Sequence, residues 1–198
     1  MPLTASAPEG NFVKAPKGVH AAICYSLIDL GTQTGEYEGQ YYERHQVFIS
    51  FELEETHEFD GVMKPIAISE FYTLSLHEKA KLREMLEGWR SKSFTSDELK
   101  GFDLKNILGK PCLINIIHKN DKAKIAAVMP ADQRAKNLKR YNDLQYYSIE
   151  EEMEIPSNVP DGIKKIIYKS KEFNPDDYVD TMRQDEPPFH GDDEDIPF

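Results

Sequence analysis

The segment from residue 46 to residue 54 alternates between apolar and polar side chains, and this pattern constrains the fold more than any other. One face of an extended strand would carry Val47, Ile49, Phe51 and Leu53. The other face would be polar except for Phe48. Because successive side chains of a strand point to opposite faces, the segment predicts a strand with one face in a hydrophobic core. Phe48 has no packing role in that arrangement.

Other segments with strand character surround this one, and a helical pattern separates the third from the fourth. The strand candidates are residues 19–30, 46–54, 66–76, 111–118 and 122–129, and the helical patterns cover residues 76–89 and 95–108. Residues 31–44 contain three glycines and three tyrosines, which indicates a loop or an extended hairpin. Five strands with a helix between the third and fourth is the order of an OB-fold barrel, although periodicity alone leaves other small α+β folds open.

The acidic residues are concentrated near the end of the sequence. The 198 residues carry a net charge of −11. Residues 174–198 hold nine acidic residues and one basic residue, a net charge of −8, which leaves −3 for the other 173 residues. Binding to phosphates requires lysine and arginine, and the charge distribution does not exclude it for residues 1–173. Few apolar residues and several prolines follow Glu172, which predicts a disordered linker.

The two cysteines and the six histidines give no sign of a redox, metal or catalytic site. Cys24 and Cys112 each lie in an apolar strand candidate, which predicts buried reduced thiols rather than a disulfide. The histidines lack metal-ligand spacing, and no serine stands in a nucleophile elbow. No apolar run approaches the roughly 20 residues of a membrane-spanning helix. We therefore expect a cytoplasmic protein that is not an enzyme and has no cofactor or metal.

The last seven residues, DDEDIPF, join an acidic run to Ile-Pro-Phe at the chain end. A terminal phenylalanine can enter an apolar pocket while its carboxylate meets a basic group, and the acids steer the approach. A solvated acidic tail would explain the acids but not Ile-Pro-Phe. The run resembles the C-terminal tip of bacterial and phage single-stranded DNA-binding proteins, whose usual form is Asp-Asp-Asp-Ile-Pro-Phe. Residues 18–33 resemble, more loosely, the first strand of a phage family of these proteins.

This resemblance implies a mainly β protein. It would be a five-stranded OB-fold barrel with a helical insert between strands 3 and 4, a C-terminal extension and a disordered acidic tail. The expected divisions are a flexible arm at 1–11, the single-stranded DNA-binding domain at 12–130, a helical or extended extension packed on the barrel at 131–173, and the tail at 174–198. The extension contains the basic run RAKNLKR and a short helix at 162–168 with an apolar stripe.

Binding a single strand without reading its sequence requires cations along the backbone path and aromatic faces on which bases stack. The ligand of an OB-fold usually lies on strands 2 and 3 and the loops beside them. The residues expected to bind DNA are Tyr37, Tyr41, Tyr42, Arg44, Phe48, Tyr72, Lys119, Lys122 and Lys124. Phe71 and Tyr72 are neighbours, so only one of these two rings can point outward. The residues expected to dock partners are Asp192, Asp193, Asp195, Ile196, Pro197 and Phe198.

The resemblance implies a sequence-nonspecific protein that coats and protects single-stranded DNA during phage replication or recombination. Its tip would recruit replication and repair enzymes. Two other classes stay open. A decoy would occupy the host's docking pockets with the same tip and bind no DNA, which the net charge of −3 outside the tail permits. A metal-dependent nuclease would assemble its acidic residues in space rather than in sequence. The sequence leaves the oligomeric state open.

Overall fold

A six-stranded sheet dominates the computed structural model, which describes residues 13–37 and 39–173. The strands are β1 (Gly18–Tyr37), β2 (Gln40–Phe59), β3 (Val62–Thr73), β4 (Pro111–Lys119), β5 (Lys122–Pro130) and β6 (Gln145–Tyr147). The described helices are α1 (Lys81–Arg90), α2 (Gln133–Asn137) and α3 (Asp161–Tyr168). The predicted β-rich class is confirmed, as is the order of three strands, a helix and two strands. None of the helices in the described ranges has the length and apolar character needed to cross a membrane.

The second helical pattern, predicted for residues 95–108, is wrong as a continuous helix. It forms two short 3₁₀ turns at Glu98–Lys100 and Leu104–Ile107. Gly101 is extended between them, with φ of 176°. The Asp103 carboxylate accepts a hydrogen bond from the Lys105 amide and starts the second turn separately. The chain therefore breaks where a helix would have had to continue through a glycine.

β1 is the central strand because it pairs with three neighbours. It lies antiparallel to β2 and β4, and its residues Ser26, Leu27 and Ile28 pair in parallel with β6. The strand order is β3-β2-β1-β4-β5. Register shifts after Cys24 and Asp29 interrupt the β1–β2 ladder, and such bulges bend a strand. Lys124 of β5 forms a 3.7 Å ion pair with Glu70 of β3, so the two strands at the opposite ends of this order approach each other.

One face of the sheet packs against α1. The predicted inward residues of β2 are confirmed as core, since Val47, Ile49, Phe51 and Leu53 are at most 5% exposed. Trp89 of α1 lies against the Phe51 ring, with centroids 5.7 Å apart, and its indole N–H donates to the Pro111 carbonyl at 3.1 Å. Cys24 and Cys112 are buried free thiols, as predicted. Burial raises the pKa of both thiols well above the usual value.

The opposite face of the sheet is covered by the C-terminal part of the described chain. This second core contains Ile28, Leu30, Tyr147, Ile149, Val159, Ile163 and Ile167, with Phe48 and Phe71 packed against it. The apolar stripe predicted for residues 162–168 is confirmed in α3, which buries Ile163 and Ile167. Glu52 is 2% exposed, and its carboxylate accepts hydrogen bonds from the amides of Tyr141 and Asn142 and from the Asn142 side chain. Residues 141–173 are thus attached to the sheet by both apolar and polar contacts.

Candidate nucleic-acid interface

The β1–β2 hairpin carries an aromatic ring with a cation placed over it. The Arg44 guanidinium carbon lies 4.7 Å from the centroid of the Tyr42 ring, a distance at which the two groups attract. Tyr42 pairs with Gly35 of β1, and a Cβ at Gly35 would lie 2.2 Å from the Tyr42 hydroxyl. Glycine at this position leaves room for the ring to lie across the hairpin. Tyr42 and Arg44, both predicted to bind DNA, are therefore brought together on one face.

Tyr41 lies on the other face of the same hairpin, because neighbouring strand residues alternate. Its side chain is 67% exposed, the most exposed of the large hydrophobic and aromatic residues in the described ranges. Tyr41 and Tyr42 cannot form one continuous stacking surface, although the sequence places them side by side. Tyr37 ends β1 opposite Gln40, and its side chain lies outside the described part of the structure.

The base of the hairpin is held by hydrogen bonds to the end of the described chain. The amide and hydroxyl of Thr32 donate to the Glu172 carboxylate at 2.8 and 2.7 Å, and the Lys171 ammonium donates to Glu43 at 3.0 Å. Burial raises the pKa of the Glu172 carboxyl, but the hydrogen bonds from Thr32 outweigh burial and the net shift is downward. Residues 171–173 are therefore fixed beside the strand that carries Tyr42 and Arg44.

His45 and Asp29 form a second contact at this base. The His45 Nε2 atom lies 2.6 Å from the Asp29 carboxylate, and its Nδ1 atom lies 4.0 Å from Glu172. The hydrogen bond to Asp29 raises the pKa of His45. Burial acts to raise the pKa of Asp29, yet the hydrogen bonds from His45 and from the amides of Gly31 and Ile149 lower it overall. The pair therefore favours a charged imidazolium beside a charged carboxylate.

The β4–β5 hairpin places two of the predicted lysines at an exposed turn. Lys119 and Lys122 pair across it, and Asn120 and Asp121 take positive φ values of 48° and 61°, as a tight two-residue turn requires. Both lysine side chains are exposed. The Lys14 ammonium lies 2.6 Å from the Asp121 carboxylate and ties the N-terminal part of the described chain to this turn.

Three of the residues predicted to bind DNA have packing roles. Tyr72 is 5% exposed in the first core, so the prediction that its ring stacks on a base is wrong, and the neighbouring Phe71 lies on the opposite face. Phe48 packs against Phe71, with ring centroids 4.8 Å apart, under the second core. Its position on the polar face of β2 is explained by the chain segment that covers it. Lys124 joins β5 to β3 through Glu70.

The β2–β3 hairpin has features that lie outside the set of residues expected to bind DNA. The Lys64 ammonium lies 4.6 Å from the centroid of the Phe59 ring. Beside this pair, Val62 and Met63 are 48% and 55% exposed. The signal was present in the sequence, since Phe59 directly precedes the Asp-Gly turn and the apolar residues directly follow it. This hairpin thus repeats the arrangement of the β1–β2 hairpin, a cation over an aromatic ring.

A cleft of about 300 Å³ opens between the first core and the C-terminal segment. Its apolar wall includes Leu74 and Phe102, and its polar lining includes Asp29, Asp103 and Glu150. Three carboxylates at one opening would repel a phosphate. The cleft is therefore excluded from the candidate interface, which consists of the exposed hairpins.

The predicted partner-docking residues, 192–198, and the predicted arm at residues 1–11 lie outside the described residues. Comparison with known protein families and with curated protein sequences finds no family model and no curated protein that matches the chain. The candidate interface therefore depends on the geometry of the hairpins and on the resemblance of the terminal tip.

Proposed function

We propose that the chain is a single-stranded DNA-binding protein with no sequence preference. The observation that carries this proposal is the β1–β2 hairpin, where Arg44 lies over the Tyr42 ring and Tyr41 is exposed on the opposite face. Rings on an exposed hairpin offer π faces to any base, and the guanidinium offers its charge to the adjacent phosphate. Stacking does not depend on base identity, which accounts for binding without sequence readout.

The strand connections support an OB-fold for this protein. β1 is shared between β2 and β4, α1 lies between β3 and β4, and an ion pair links β3 to β5. A five-stranded barrel would need these neighbours. In that fold the β1–β2 and β4–β5 loops lie on either side of the ligand. The proposed path therefore runs from Tyr42 and Arg44 to Lys119 and Lys122.

The covered outer face of the sheet determines where bases would stack. Phe48 and Phe71 lie on the strands that commonly hold the ligand of an OB-fold, but residues of the second core pack against them. The proposed binding surface is accordingly displaced from the centre of the sheet to the ends of its hairpins. The tail at 174–198, with its Ile-Pro-Phe tip, is proposed to recruit replication and repair enzymes in the host cytoplasm.

A titration of the full chain against fluorescent oligo-dT tests the proposal by fluorescence anisotropy over a series of salt concentrations. We expect binding that weakens steeply with salt, because cations of the protein displace counterions from the strand. Tyr42→Ala, which removes the ring beneath Arg44, should lower the affinity by about 5-fold to 150-fold, since one base stack contributes about 1–3 kcal/mol. Tyr141→Ala is the matched control, because this tyrosine is 55% exposed and lies near Glu52, far along β2 from the hairpin. The affinity of the Tyr141→Ala variant for oligo-dT should stay within twofold of the wild-type value.

Three results would overturn the proposal. An absence of binding at low salt would leave the decoy, in which the tip alone acts. Cleavage of the oligonucleotide in the presence of Mg²⁺ would indicate a nuclease. Equal losses of affinity in Tyr42→Ala and Tyr141→Ala would remove the β1–β2 hairpin from the interface.

A further inference from the structure

His20, Glu54 and Glu55 bring three metal-ligating side chains together at the start of β1 and near the bulge of β2. One ligand atom from each residue lies within 4.8 Å of the other two. His20 is 6% exposed, and its Nδ1 atom lies 2.5 Å from Glu55 Oε1. In the described ranges no other group of three His, Cys, Asp or Glu residues is this close.

A bulge in β2 explains how two neighbouring glutamates reach the same partner strand. In a regular strand their side chains would point to opposite faces. Between Glu52 and Thr56, β2 advances four residues while the paired β3 advances two, from Ala67 to Pro65. The bulge breaks the alternation, so Glu54 reaches the Ala21 amide at 3.0 Å and Glu55 reaches the His20 ring. The local backbone thus positions both carboxylates.

The hydrogen bonds of His20 show which of its nitrogens is able to ligate a metal. The Nε2 atom lies 2.9 Å from the Pro16 carbonyl oxygen, which only accepts hydrogen bonds, so Nε2 carries a proton. In a neutral imidazole the Nδ1 atom then has a lone pair, and it faces the carboxylate of Glu55. Metal-ligating histidines have this arrangement, with one nitrogen donating to a carbonyl and the other aimed at the ion.

The second oxygen of Glu55 supplies an independent observation. Glu55 Oε2 is buried and has no hydrogen-bond partner among the described residues. A buried carboxylate oxygen without a partner carries a substantial desolvation cost. A cation held between His20 Nδ1 and the two glutamates would remove that cost. Arg134 lies 3.0 Å from Glu54 Oε1 and partly balances the negative charge of the two glutamates.

We propose that His20 Nδ1, Glu54 and Glu55 form a binding site for a divalent transition-metal ion of the Zn²⁺ type. One imidazole nitrogen and two carboxylates suit Zn²⁺ and its neighbours in the first transition row, whereas Mg²⁺ prefers oxygen ligands alone. Three protein ligands leave one tetrahedral position for water. The ion would connect the segment around Pro16 and the first residues of β1 to the end of β2, a structural role that adds to the proposed DNA binding and does not depend on it.

Metal titration of the full chain tests this site after chelator treatment and dialysis. Isothermal titration with ZnCl₂ should show a saturable site of unit stoichiometry, and MgCl₂ at the same concentrations should show none. At 100 times the Kd, Zn²⁺ should raise the Tm by about 5–10 °C. Glu55→Gln retains the size of the side chain and should lose the shift, as should His20→Gln if it folds. His77→Gln, which alters an exposed histidine elsewhere, should retain it.

The acidic chain end needs its own control, because carboxylates bind divalent ions weakly without a defined site. A full-length variant with Asp192→Asn, Asp193→Asn, Glu194→Gln and Asp195→Asn should retain both the stoichiometry and the Tm shift. An unchanged Zn²⁺ response in Glu55→Gln would overturn the proposal. So would the absence of any saturable Zn²⁺ binding by the wild type, since the contact would then be a proton-mediated pair between His20 and Glu55.

Discussion

At the scale of single residues, His45 connects stability to pH at the base of the β1–β2 hairpin. The hydrogen bond to Asp29 raises its pKa above the ordinary value of 6.5. A group whose pKa is raised in the folded state stabilises that state fully below its unfolded pKa, and the contribution is lost as the pH rises through the folded pKa. The hairpin and the end of the described chain should therefore be attached most firmly in mildly acidic solution.

Urea unfolding at pH 6 and at pH 9 measures this contribution. A hydrogen bond to a charged group contributes about 1.5–3 kcal/mol. The difference in free energy of unfolding between the wild type and His45→Gln should therefore be larger at pH 6 than at pH 9 by about 1.5–3 kcal/mol. The range from pH 6 to pH 9 lies above the acidic range in which Asp29 and Glu172 titrate, because the pKa values of both carboxyl groups are lowered. His77→Gln is the control and should follow the wild type at both pH values. A difference between wild type and His45→Gln that is independent of pH would contradict this account.

The burial of Tyr72 and the packing of Phe48, neither of which sequence reasoning anticipated, share one physical cause. Alternation along β2 predicted correctly that Phe51 is buried and that Phe48 lies on the opposite face. It could not show that this face is covered, because the covering residues come about 100 positions later in the chain. Which of the two rings, Phe71 or Tyr72, is the more deeply buried also depended on which face of the sheet carries the larger core. Local periodicity assigns a side chain to a face, whereas distant segments decide whether that face meets water.

At the scale of elements, α3 determines how firmly the C-terminal segment holds to the sheet. Its eight residues are too few to form a stable helix alone, so its structure depends on burying Ile163 and Ile167 against Ile28 and Leu30. Gln33 adds a polar contact, donating from its amide to the Ile166 carbonyl at 3.1 Å. The helix was predictable from its apolar stripe. Its docking position on β1 was not, because the stripe alone does not specify a partner.

Ile167→Ala tests this dependence. The side chain is 0% exposed, and replacing a buried isoleucine with alanine costs about 2–5 kcal/mol. We expect a loss in that range by urea unfolding and faster cleavage within residues 141–173 under limited proteolysis. Lys165→Ala is the matched control, because Lys165 lies on the exposed side of the same helix and its loss should cost under about 0.5 kcal/mol. Normal protease resistance in Ile167→Ala would mean that the segment is held by its polar contacts alone.

At the scale of the whole molecule, charge and attachment point together determine how the acidic tail acts. Residues 174–198 hold −8 of the net charge of −11. The last described residues, 171–173, are fixed at the base of the β1–β2 hairpin by Thr32 and Glu43. The tail is therefore tethered next to the proposed DNA-binding residues. A tethered chain has an effective concentration that reaches the millimolar range, which is sufficient for a polyanion to compete with DNA for Arg44 and the lysines.

Neutralising the tip measures that competition while keeping the length of the chain. The variant with Asn or Gln at positions 192–195 should bind oligo-dT several-fold more tightly than the wild type at about 50 mM salt. The difference should vanish at about 300 mM, because salt screens the attraction of both the tail and the DNA to the cations of the protein.

Deleting residues 174–198 should likewise leave DNA affinity unchanged or higher and abolish partner binding. A deletion that destroys DNA affinity would place part of the binding site in the tail and would overturn the assignment of DNA to the hairpins.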